Sequence, residues 1–150
     1  MSSFPEKFKV RVIEKDNGTP ISNVAISITL FANRKNNYHF VPPISSHEGI
    51  IEFTKDWLGE EILKEQKLFI MDYSSNLEDC KPMIEINVMK SEKLENVVRG
   101  METFAGYFKY TKNDIDQIRN VDNRKYKPIS VQCNVSELES FSLVLELDRL

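Results

Sequence analysis

The sequence predicts a mainly β domain: an antiparallel β-sandwich of about seven to eight strands, with one short helix and a helical insert before the last strands. Three observations lead there. Apolar residues alternate with polar ones in short stretches along most of the chain, which is the period of a half-buried strand. Turn signals such as Asn17-Gly18 and Pro42-Pro43 separate those stretches. From Ser91 to Tyr126 the apolar period changes to that of a helix.

The chain is organised around Phe8 to Phe31, which reads as a hairpin. Phe8, Val10 and Val12 alternate with Lys9 and Arg11, and Val24, Ile26, Ile28 and Leu30 alternate with Ala25, Ser27 and Thr29. Between them, Asn17-Gly18 tolerates positive φ, and Pro20 belongs at a strand entrance because it cannot donate to a ladder. Tyr38 to Val41 and Ile50 to Thr54 read as the next strands, the second opened by Gly49. Asp56 then suits an N-cap, Glu60 and Glu61 suit a first helical turn, and Trp57, Leu58, Ile62 and Leu63 share one side of a short helix ending near Gln66. Trp57 is expected to anchor that helix in the core.

Lys67 to Tyr73 and Met83 to Met89 are further strands. In the insert, Leu94, Val97, Val98, Met101, Phe104, Ala105 and Phe108 recur at helical spacing, with Ser91 as the expected cap. Gly100 and Gly106 each weaken a helix there by about 1 kcal/mol relative to Ala. Phe104, Gly106, Phe108 and Tyr110 also alternate as in a strand, so the helix is expected to about Thr103 and Phe104 to Tyr110 stays open between helix and strand. Thr111 and Asp114 resemble a capping box for a helix to Asn120, and Asn120 to Lys127 reads as a polar loop. Ile129 to Val135 and Phe141 to Leu147 alternate again and close the domain.

The run Asp16-Asn17-Gly18-Thr19-Pro20-Ile21, followed by Asn23-Val24-Ala25-Ile26-Ser27-Ile28, resembles the opening of transthyretin-like and carboxypeptidase-regulatory-like β-sandwich domains. His47 to Phe53 fits a later strand of that family loosely. The resemblance covers about the first half of the chain. It implies an Ig-like sandwich with one short helix among its strands, and it implies no activity.

With 150 residues, the chain makes one domain, 1–150, with the insert at 91–126. Charged residues at 29% and hydrophobic ones at 41% fit a soluble globular protein rather than a disordered one. A net charge of −3 gives no electrostatic case for nucleic acid or an anionic membrane. The first residues carry no apolar core of signal-peptide length, and the longest apolar stretch, near Val24 to Ala32, is interrupted by Ser27 and Thr29. The expected location is cytoplasmic, with Cys80 and Cys133 kept as thiols.

Motifs for chemistry are thin. His39 and His47 are the only histidines, too few for a three-His metal site. With Tyr38 and Tyr73 they match the ligand types of an intradiol dioxygenase iron site, without its close His-x-His spacing. Asp72, Ser74, Asn76 and Glu78 alternate like calcium-loop ligands, but Leu77 stands where the turn needs Gly and Met83 where a Glu would chelate. Lys9 has no Asn on the closing strand for an isopeptide. The tail Asp148-Arg-Leu150 lacks the Tyr-Arg-Gly-Ser ending of hydroxyisourate hydrolases. Cys133 falls mid-strand, and Cys80 sits beside Glu78 and Asp79, which disfavour its thiolate. The reading is a non-enzyme with no cofactor and no metal.

The expected function is a non-catalytic cytosolic protein–protein interaction domain, with the insert as its bespoke surface. Phe104, Tyr107, Phe108, Tyr110 and Tyr126 supply interface-type aromatics, and Arg99 and Arg119 supply hot-spot-type cations. The competing reading is that this aromatic stripe only covers an open end of the sandwich. The partner is another protein, not nucleic acid or membrane; a narrower version is an immunity or inhibitor protein. The alternatives are a small-ligand or carbohydrate-binding module using Tyr38, Phe40 and Tyr73 as a stacking platform, and a structural component whose edge strands pair into assemblies.

Overall fold

A computed structural model describes residues 6–31, 36–38, 44–60, 83–138 and 143–150. Seven strands lie among them: β1 (Lys7–Glu14), β2 (Ile26–Phe31), β3 (Asn36–Tyr38), β4 (Ile50–Thr54), β5 (Met83–Val88), β6 (Ile129–Asn134) and β7 (Val144–Leu147). They form a three-stranded sheet in the order β4-β1-β7 and a four-stranded sheet in the order β3-β2-β5-β6. Every pair is antiparallel except β1 with β7, which is parallel. An all-antiparallel expectation is corrected there. The expected strand over 67–73 lies outside the described residues, as do 39–41 of the third strand.

The period-2 pattern sets the core. Phe8, Val10 and Val12 of β1, Ile51 and Phe53 of β4, and Leu145 and Leu147 of β7 are buried. They share one cluster with Ile26, Ile28 and Leu30 of β2, Ile84, Ile86 and Val88 of β5, and Cys133 of β6. Both sheets therefore turn one face into the same core. Each such side chain contributes about 1.5–3 kcal/mol by leaving water. Phe8 stacks on Phe53 at 5.0 Å, and Phe53 meets Trp57 edge-on at 5.5 Å, so Trp57 packs against this core while only partly buried.

The expected hairpin is the main correction. β1 and β2 belong to different sheets, joined only through a turn. The Asn17-Gly18 turn forms as expected: Gly18 has φ +72°, and the Asn17 side chain accepts from the Thr19 N–H at 2.9 Å. The returning chain then bonds β1 only at its end, through Thr19 O to Glu14 N–H (2.8 Å) and Ile21 N–H to Val12 O (3.0 Å). Beyond that point β4 takes the same edge, beginning with Val12 N–H to Gly49 O at 2.7 Å. Gly49 is the wedge: a Cβ on it would lie 2.6 Å from Val12 O and 3.0 Å from the Pro20 Cβ. Displaced from that edge, residues 21–25 cross to the other sheet, turning at Asn23 with φ +61°.

A crossing segment has backbone groups that no ladder satisfies. Buried Ser45 meets part of this need: its hydroxyl donates to Ile21 O and accepts from Val24 N–H, both at 2.9 Å. Backbone bonds from Asn23 N–H to Ser45 O (3.0 Å), from Ser45 N–H to Val24 O (2.8 Å) and from Asp122 N–H to Asn23 O (2.7 Å) meet more of it, and buried Asn123 serves Ala25. Its Oδ1 accepts from Ala25 N–H at 2.8 Å, and its Nδ2 donates to Ala25 O at 2.8 Å and Met89 O at 3.2 Å.

Residues 55–60 are helical, and Thr54 rather than Asp56 caps them, its Oγ1 accepting from the Trp57 N–H at 3.1 Å. The insert holds α1 (Ser91–Thr103), α2 (Ala105–Phe108) and α3 (Lys112–Arg119). α1 starts from Lys90 with no side-chain cap bond, so Ser91 is its first residue and not its cap. The open stretch resolves as helix, a single turn closed by Lys109 at φ +60°. The capping box is present: Asp114 N–H donates to Thr111 Oγ1 (3.1 Å), and Thr111 N–H donates to Asp114 Oδ2 (2.9 Å). The expected polar loop after α3 is a 3-10 turn, Asp122–Lys125, bounded by buried Val121 and Tyr126.

Candidate functional site

The helical insert builds its own small core. Leu94, Val98 and Met101 of α1 and Ile118 of α3 are buried with Val121, Met89 and Ala25, and Ile44, Val97, Tyr110 and Ile115 pack around them. Its apolar stripe is thus spent on internal packing and on one end of β2 and β5. The remaining face is charged. Arg99 is exposed on α1. The Arg119 guanidinium reaches Glu102 on α1 at 3.3 Å and Asp116 on its own helix at 3.4 Å. Such exposed pairs contribute little stability, about 0–1 kcal/mol each, and only the Glu102 pair joins α3 to α1.

The expected site residues divide accordingly. Arg99, Phe104, Tyr110 and Arg119 belong to the helical unit; Phe104 is half-buried where α1 breaks into α2, and Tyr110 is half-buried against the small core. Tyr107 and Phe108 lie in α2, and their side chains are outside the described residues. Tyr126 stands apart. Only 7% of it is exposed, in the core between the sheets, with Arg149 over its ring at 5.8 Å. Its packing leaves almost no surface for a partner.

That Arg149 belongs to a latch at the end of the chain. Its Nε donates to Glu14 Oε1 at 2.6 Å. This bond holds the half-buried Glu14 carboxyl below the usual carboxylate range, against the opposing effect of burial. Backbone bonds from Lys127 N–H to Asp148 O (2.8 Å) and from Leu150 N–H to Lys125 O (3.0 Å) tie the same segment to the exit of the insert.

A concave feature lies on the outward face of the three-stranded sheet. Arg11 sits between Ile50 and Val144 across the strands, and Ile13 lies beside Glu146 and Pro20. Together with Glu48 they line an open hollow of about 490 Å³. Its lining carries one Arg and two Glu among otherwise uncharged residues. Sequence reasoning missed it because half of its lining comes from a parallel pairing that no local pattern announces.

For covalent chemistry, Cys133 is a buried free thiol. Burial, aided by the negative charge of Glu137, pushes its pKa up to about 11, so it stays protonated near neutral pH. His47 is exposed in the turn before Gly49. His39, Phe40, the 72–78 loop with Tyr73, and Cys80 lie outside the described residues. Among the described residues no three His, Cys, Asp or Glu side chains cluster as metal ligands, and no helix is long and apolar enough to cross a membrane. No family model matches the chain, and no curated protein or solved structure matches it either.

Proposed function

We propose that this chain is a non-catalytic protein-interaction domain on a transthyretin-like β-sandwich, acting in the cytoplasm through the outer face of its helical insert. The observation that carries this reading is the insert's separate core. A unit that buries its own apolar stripe can change its outer face without disturbing the sheets beneath. The fold part of the reading is supported by the single core shared by two sheets, and by the Asp16 to Ile21 motif at the crossing between them. Arg99 and Arg119 are the proposed cationic anchors, with Phe104 between them in sequence. An immunity or inhibitor protein is the narrower version, and the partner is then an acidic protein surface.

The test is capture from the native cytosol with tagged wild-type protein and with the Arg99→Ala/Arg119→Ala variant, side by side. One stoichiometric protein held by the wild type and released by the variant, at equal melting temperature, supports the reading. Retention of nothing by the wild type contradicts it.

The hollow of about 490 Å³ favours a second reading, a small-ligand module, because its volume falls in the range of small-molecule sites. Saturable shifts of the Arg11 and Ile50 amide resonances on titration with sugars would favour that reading over the first.

A further inference from the structure

The outward face of a half-exposed sheet is ordinarily polar, and aliphatic side chains grouped in a hollow there have the form of a small-ligand site. Of the outward positions on β1, β4 and β7, only Ile13, Ile50 and Val144 are aliphatic; the rest are charged or Thr. All three are half-buried and line the hollow of about 490 Å³. The charges in the lining are ordered along β1. Arg11 stands in one row, between Ile50 and Val144. Glu146 stands in the next row, beside Ile13 and Pro20. Glu48 reaches the hollow at that same end, since the carbonyl of the following Gly49 accepts from Val12 N–H. The frame is fixed without a ligand: Ser46 Oγ accepts from the N–H groups of Glu48 and Ile50, both at 3.3 Å, and pairing with β1 holds Glu146.

We propose, on the small-ligand reading of the hollow, that its ligand is a zwitterionic dipeptide with apolar side chains. Charge complementarity selects this occupant. Arg11 carries a fork of five donors, so it can serve a carboxylate beside its other contacts. The exposed Glu48 and Glu146 offer acceptors to an ammonium. Residues two apart on one face of a strand are about 6.7 Å apart. An extended dipeptide spans about 7 Å, so its carboxylate meets the Arg11 row and its ammonium meets the Glu row. A single α-amino acid is shorter than that gap, and a neutral sugar leaves all three charges without a counterpart. Two carboxylates against one guanidinium disfavour an anion. The dipeptide side chains cover Ile13, Ile50 and Val144, which leave water in the complex.

Titration of the full chain with valyl-leucine, read from backbone amide shifts, tests this. Saturable shifts at Arg11, Ile13, Ile50 and Glu146 are expected. Capping either end of the probe, as N-acetyl-valyl-leucine or as valyl-leucinamide, is expected to weaken binding about fivefold, the upper worth of an exposed charge pair. The protein side gives the matching result. Arg11→Gln is expected to bind valyl-leucine and its amide alike, and Glu48→Gln/Glu146→Gln to bind valyl-leucine and its N-acetyl form alike, with unaltered melting curves. Undiminished binding of either capped probe to the wild type overturns the proposal, whatever the variants do. Saturable shifts with sugars but none with valyl-leucine overturn the dipeptide class and leave the small-ligand reading standing. Shifts with neither overturn both.

Discussion

Asn123 shows what a single side chain can hold together. It reaches 98 residues back along the chain to both backbone groups of Ala25, and it also binds Met89 O at the start of the insert. Replacing it with Ala leaves one N–H and two carbonyls buried without partners, each costing about 1–3 kcal/mol. Asn123→Ala is therefore expected to lower the unfolding free energy by about 3 kcal/mol in denaturant titration. Asn123→Asp should do nearly as badly, since it keeps the acceptor and loses both donors. A loss under about 1 kcal/mol for either would remove Asn123 from this role. Gly49 gives the second residue-scale prediction. Gly18 and Gly49 share a left-handed φ, but a Cβ at Gly18 meets open space while one at Gly49 meets Val12 O. Gly18→Ala should cost about 1–2 kcal/mol from φ alone, and Gly49→Ala clearly more. Equal costs would mean that close approach at Gly49 does not matter. Neither role was legible from residue types. Asn123 stands in a polar run, 120–127, whose composition is that of any loop. The pattern around Gly49 marks a strand opening but not the contact with Val12 O that makes it a wedge.

Strands and helices were far more legible one by one than in their pairing. The alternation in β1, β2, β4, β5 and β6 and the Thr111–Asp114 box mark elements directly, because each is a local pattern. Two alternating runs around Asn-Gly look the same whether they stay paired or part after one turn. Here a third strand, about 30 residues on, takes the edge. Two expected caps are displaced for a related reason: the helices start where β4 and β5 end, which puts Thr54 rather than Asp56 and Lys90 rather than Ser91 at the cap position. The insert is legible as a helical segment, since its changed period is plain, whereas the burial of Tyr126 with the sheets has no local signal. The latch between β1 and the end of β7 carries a pH prediction at this scale. Glu14 has its carboxyl pKa lowered in the fold. Its contribution is therefore complete above the ordinary carboxylate range, and it is lost as pH falls through the lowered folded value. Melting temperature measured from neutral to acid pH should fall less in Arg149→Met than in the wild type over that window. Parallel curves would show that Arg149 does not set the Glu14 titration.

At the scale of the whole molecule, two cores divide the labour. The one between the sheets holds the domain together, and the one in the insert holds up a charged face. Cys133 reports on the first. In a Cys80→Ser chain at pH 8, modification of Cys133 by a thiol reagent should proceed only as fast as global unfolding exposes it, and it should become immediate in denaturant. Rapid labelling of the native protein would mean that β6 frays from the core. The central claim is that recognition rides on the second unit, and backbone hydrogen exchange of the captured complex against the free protein tests it most directly. Slowed exchange in α1 and α3, with β1, β4 and β7 unchanged, is the expected result. Protection confined to the three-stranded sheet, with the insert exchanging as in the free chain, would contradict it.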